Sequence, residues 1–96
     1  MPAYVIVETD IHDPEQYERY KAASPGAVAA GGGRFVVRGG AIQTVEGDWK
    51  PSRLVVIEFP SRADAQRWYD CEEYRAPKAL RMRAGRTNMV IVDGVS

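Results

Sequence analysis

Three stretches of this chain, "YVIV" from Tyr4, "RLVVIEF" from Arg53 and "MVIV" from Met89, are apolar where a half-wet strand would alternate. In "RLVVIEF", Leu54 and Val56 point to one side while Val55, Ile57 and Phe59 point to the other. Met89 and Ile91 likewise oppose Val90 and Val92. Strands that are apolar on both faces are normally buried on both faces. This constrains the fold more than any motif, because 96 residues make one domain and its helices can cover only one side of a sheet. Four strands at ~4.8 Å spacing and ~20 Å length leave a second face of roughly 400 Å². That is as much contiguous apolar surface as a monomer usually tolerates. Covering it contributes about 10 kcal/mol per subunit as an upper bound. A second copy of the chain is the simplest cover, since a two-fold pairing lets one patch serve both subunits.

The remaining segments supply the helices. "AYVIVETDI" predicts a strand over about Ala3 to Thr9. In "DPEQYERYKAAS", Asp13 caps a helix, Pro14 takes its first position and Glu15 suits the positive dipole end. Gln16, three after Asp13, approaches a capping box, and Tyr17, Tyr20 and Ser24 share a face. Pro25-Gly26 predicts a kink or an interruption, after which "AVAAGGG" resumes the helix. "RFVVRGGAIQTVEG" predicts the second strand with a bulge at Gly39-Gly40, and "GDWKPS" a turn. "RLVVIEF" is the third strand, stopped by Pro60, and Ser61 with Asp64 caps a helix whose inner stripe is Ala65, Trp68 and Tyr69. "EEYRAPKALRMRAG" is a further helix, with Pro77 near its first turn or kinking it, and "TNMVIVDG" is the last strand. The order β-α-β-β-α-β, with its second helical segment in two pieces, predicts an α+β, ferredoxin-like, four-stranded antiparallel sheet. Right-handed crossovers place strands one and three in the centre.

Thirteen basic residues balance thirteen acidic ones, which argues against nucleic acid or an anionic membrane as partner. The start, "MPAYVIVE", lacks the basic region and length of a signal peptide, and a single cysteine excludes an internal disulfide. A cytoplasmic location follows as the default.

The polar residues inside the apolar strands are the candidate site. In "GGGRFVVRGG", strand alternation puts Arg34, Val36 and Arg38 on one face. Guanidinium forks suit carboxylates and enolates, so with Glu58 they make either a small-molecule cleft or a structural ion-pair network. Glu8 and Glu46 are alternative partners. Trp68 and Tyr69 pack on the sheet or wall such a cleft. His12, the only histidine, is an exposed loop residue or an edge-placed acid–base group. Cys71 has no neighbouring cation to activate it, and Trp49 in its turn suits a partner contact. One histidine and a distant cysteine make no zinc or haem ligand set, so neither metal nor cofactor is expected. The glycines precede a strand rather than a helix and form no phosphate loop.

Together "GGRFVVRGGA", "GDWKPSRLVVIEFPS", "A..WYD..EYR..KALR" and "DPEQYERY" resemble the family called domain of unknown function 1330, across nearly the whole chain. The resemblance implies a ferredoxin-like subunit of a dimeric α/β barrel. The superfamily includes cofactor-free monooxygenases, haem-dependent enzymes, isomerases and dehydratases. By position the family pattern falls on Arg34, Phe35, Arg38, Gly39, Gly40, Glu46, Trp49, Arg53, Glu58, Phe59, Trp68, Tyr69 and Tyr74. Cys71 stands where the family usually has serine, Glu72 where it has proline, and Pro77 is out of pattern. Two functional expectations follow. One is a homodimer that binds or transforms a small carboxylate or aromatic metabolite without a cofactor. The other is a non-enzymatic binding or accessory module whose charged strand residues only stabilise the dimer.

Overall fold

The computed structural model describes residues 1–95. The chain runs β1 (Ala3–Ile11), α1 (Pro14–Ala30), β2 (Arg34–Arg38), β3 (Leu54–Phe59), α2 (Arg62–Asp70), α3 (Glu72–Ala84) and β4 (Gly85–Asp93). The sheet is antiparallel in the order β2-β3-β1-β4, with the expected strands one and three at its centre. It is open in the single chain, β2 and β4 being its edges.

Helix starts follow their local chemistry. Asp13 Oδ1 accepts from Gln16 N at 3.2 Å ahead of Pro14, and Ser61 Oγ accepts from Asp64 N at 3.1 Å. The helical segment before β4 divides at Cys71 as expected. Pro77 lies inside α3 without ending it. Of the kink or interruption expected at Pro25, the interruption is absent: α1 is continuous through it. Proline's missing N–H frees the carbonyl four residues back, that of Lys21. Arg38 Nη2 donates to that oxygen at 2.6 Å, so a distant strand supplies what the helix lacks.

Val5, Val7, Val55, Ile57 and Phe59 point to the helices and are buried against Tyr17, Tyr20, Val28, Trp68 and Tyr74. Trp68 lies between Phe59 and Tyr74, with ring centroids at 5.3 and 4.3 Å. The opposite face carries Tyr4, Ile6, Leu54 and Val56, extended by Val37, Val90 and Val92, and among the described residues no helix covers it. Val90 is 57 % exposed, although its neighbours on either side turn inward. Gly85 allows the tightest backbone approach, because a Cβ there would collide with the Asp10 carbonyl on β1.

Two expectations about β2 are corrected. The strand ends at Arg38, not Gly47: Gly39 turns away at φ +72 while its N–H closes the ladder on the Leu54 carbonyl. The bulge lies within the strand, at Val36, rather than at Gly39-Gly40. Phe35 pairs with Ile57 and Val37 with Val56, which leaves Val36 as the extra residue.

Candidate functional site

That bulge separates the two arginines predicted to share a face. Arg34 pairs with Glu58 on the open face, where Nη2 to Oε1 is 2.7 Å. Past Val36 the parity reverses, so Arg38 pairs with Val55 on the helix side. There its guanidinium lies 4.5 Å from the Phe35 ring centroid. Glu58, whose side could not be read from sequence, is therefore an open-face residue held by Arg34 alone of the pair. At the other end of the open face, Glu8 accepts from Trp49 Nε1 at 2.9 Å and from Asn88 Nδ2 at 3.2 Å. His12 is exposed beside Asp10, beyond the end of β1 farthest from Glu58. Cys71 joins α2 to α3 and is half-buried. Among the described residues, no cluster of histidine, cysteine, aspartate and glutamate has the geometry to hold a metal ion.

The helix side holds a polar group that sequence reasoning passed over. Arg81 is 3 % exposed, with no carboxylate within ion-pairing distance among the described residues. Its Nε–H has no acceptor there, and neither has Trp68 Nε1. A buried cation without an anion costs several kcal/mol. Next to it, Tyr74 and Tyr20 share a hydrogen bond between hydroxyls at 2.8 Å. Burial, then the neighbouring Tyr20, pushes the Tyr74 phenol far above its ordinary range, and the Arg81 charge only partly opposes this. At neutral pH Tyr74 is therefore a neutral hydroxyl.

Arg81 opens onto a groove of about 440 Å³ between α3 and the β4 edge, lined also by Tyr69, Met82, Gly85, Arg86, Thr87 and Met89. Tyr69 and Met89 continue into a neighbouring recess of about 680 Å³ beside α2. Among the described residues, no acidic one lines either space. Lys78 Nζ rests 4.0 Å from the Tyr69 ring centroid and bonds the Tyr69 carbonyl at 3.0 Å, fixing that wall. Of the paired aromatics Trp68-Tyr69, the first is a core residue and the second faces the groove. The signal for Arg81 was helical period: Tyr74, Pro77, Arg81 and Ala84 form the buried stripe of α3.

A ferredoxin-like α+β subunit with a cation-lined groove beside its sheet is the class these features define. The chain belongs to the family "Domain of unknown function (DUF1330)", which matches residues 2–95. Among solved structures it is similar to RPA0582, a protein of unknown function from Rhodopseudomonas palustris: TM-score 0.78, 17 % identity, covering 99 % of this chain and 83 % of that one. It is also similar to a dimeric ferredoxin-like protein of unknown function from Jannaschia sp. CCS1, with TM-score 0.76, 12 % identity and coverage of 98 % and 100 %. A third, SnoaB, a cofactor-independent oxygenase from Streptomyces nogalater, has TM-score 0.68, 11 % identity and coverage of 99 % and 94 %. At such identities the likeness is one of fold. No curated protein matches the sequence.

Proposed function

We propose that this protein binds a small anionic aromatic molecule in the groove between α3 and β4, with Arg81 holding its negative charge. The observation that carries the reading is the Arg81 guanidinium, buried and without a carboxylate, on a groove lined by cations, a hydroxyl and apolar walls but no acid. Tyr69, Met82 and Met89 offer faces for a ring, Thr87 a hydroxyl, and Arg86 a second positive charge.

The reading extends to chemistry. An oxygenase without a cofactor must draw electrons from its substrate's own anion, so it needs a cation where a phenolate or enolate forms. Arg81 supplies one, and the buried Tyr74 hydroxyl behind it, bonded to Tyr20, stays neutral and adds no competing negative charge. The likeness in fold to SnoaB supports this class. Pairing of two chains through the open face belongs to the same proposal, supported by the uncovered valines of β4 and by the dimeric Jannaschia protein.

Salicylate tests the binding and oxygen uptake with 1,8-dihydroxynaphthalene tests the turnover. Calorimetry should show saturable salicylate binding whose tightest component is lost in Arg81→Met and weakened in Arg81→Lys, with dihydroxynaphthalene-dependent oxygen uptake falling in step. Binding unchanged in a folded Arg81→Met protein would overturn the site. Binding without uptake above the uncatalysed rate would leave a binding module and remove the oxygenase reading.

One observation favours the non-enzymatic alternative for part of the molecule. Arg34 and Glu58 form their ion pair on the uncovered face, away from the Arg81 groove, where a second copy would meet it. In this reading they set the register of the pair. Arg34→Met would then loosen association and leave salicylate binding intact.

A further inference from the structure

We infer a second anion site on the other side of α1, where Arg38 and Arg53 converge, suited to the carboxylate of a small organic acid. Both guanidiniums line one crevice with Tyr17, Tyr20, Lys21 and Ser24, floored by Phe35 and Val55. Neither has a carboxylate within ion-pairing distance among the described residues, and no acidic residue lines the crevice. Lys21 adds a third cation at the rim, shared with Glu18 at 3.1 Å. Like charges held together without a counter-ion repel, and a bound anion relieves that repulsion.

The arginines are positioned before any ligand arrives. Arg53 Nε donates to the Tyr17 hydroxyl at 2.8 Å, and its guanidinium lies 5.1 Å from that ring's centroid. Gly39 makes room for it, because a Cβ there would occupy the place of Arg53 Nη1. Arg38 is fixed by the Phe35 ring and the Lys21 carbonyl. Each spends one N–H on the protein and keeps the rest of its fork free. The crevice as a whole leaves about 10 Å³, room for one water. An acid therefore docks by its head group at the mouth, with its body outside, and so small a space suits a two-oxygen carboxylate better than a bulkier four-oxygen phosphate. The assignment does not depend on the Arg81 groove.

The test is a titration of the intact protein with sodium acetate, and separately with inorganic phosphate, at constant ionic strength, following the arginine Nε–Hε resonances by NMR. Acetate should shift Arg38 and Arg53 saturably, with phosphate at least about tenfold weaker, a gap of 1.4 kcal/mol. Arg53→Gln should abolish the Arg38 response. Arg53→Lys, which keeps stem and charge but not the fork, should weaken it about tenfold or more, and it serves if the glutamine variant does not fold. Arg81→Met should leave it intact, which separates this site from the groove. A linear, unsaturable response, or an Arg38 shift unchanged in a folded Arg53 variant, overturns the assignment. Phosphate binding as tightly as acetate overturns the carboxylate preference.

Discussion

The two faces of the sheet are deficient in opposite ways. On the helix-covered face the apolar residues are satisfied: Val5, Ile57, Phe59 and Trp68 are almost wholly buried, yet Arg81 among them has no carboxylate partner among the described residues. On the open face the carboxylates are satisfied, Glu58 by Arg34 and Glu8 by Trp49 and Asn88, while Val37, Val90 and Val92 remain in water. What each face lacks names what should complete it. On the proposed reading the open face takes its apolar cover from a second copy and the covered face takes a small anion from solution.

Adjacent residues of β1 give the largest contrast. Val5 faces the core and Ile6 the open side. Val5→Lys buries an unpaired charge and should cost on the order of 5 kcal/mol, enough to unfold a domain of this size. Ile6→Lys should keep its circular dichroism spectrum and sediment as a monomer. If both unfold, or both stay paired, the faces are not different in the way described.

Arg81→Met comes next. Replacing a buried, unpaired cation by an apolar chain of similar length should raise stability by about 1–4 kcal/mol while removing the tightest component of salicylate binding. Thermal unfolding and calorimetry on one sample check both. A loss of stability would mean that the guanidinium is a structural group.

Tyr20→Phe removes the hydroxyl pair and should cost about 1 kcal/mol in urea unfolding. The same pair carries a pH signature. Tyr74 keeps its proton in the folded state to higher pH than an unfolded tyrosine. Its contribution is therefore complete below about pH 10 and is lost as pH rises from there toward the folded-state value. Tyr74→Phe should flatten the alkaline decline of stability. A slope unchanged by the substitution would contradict the burial account.

The smallest effect belongs to Arg34→Gln. Its partner Glu58 is a quarter exposed and Arg34 largely so. The substitution should change subunit stability by less than about 1 kcal/mol, and any larger effect should appear only in association.

Much of this contrast was legible beforehand. The element order, both helix caps, the division at Cys71 and the two-sided apolar strands all follow from local chemistry and period. What failed depended on partners far along the chain. Nothing in "RFVVR" marks Val36 as the bulge, because its pairing is decided by β3, and that one residue moved Arg38 to the other face. Pro25 does not break α1 because Arg38, thirteen residues later, answers the freed carbonyl. "AIQTVEG" has strand composition, but Gly39 turns it out of the ladder. Arg81 was readable, since the period from Tyr74 puts it inside, but arginine in a basic helix end is easily taken for a solvated dipole partner.

The most direct measurement is salicylate titration of the intact protein with arginine Nε–Hε detection, comparing Arg81 on the covered face with Arg34 on the open one. A saturable shift at Arg81 with Arg34 unmoved is the predicted result. A shift at Arg34 with Arg81 unmoved, or no saturable shift at either, would contradict the assignment of the anion to the covered face.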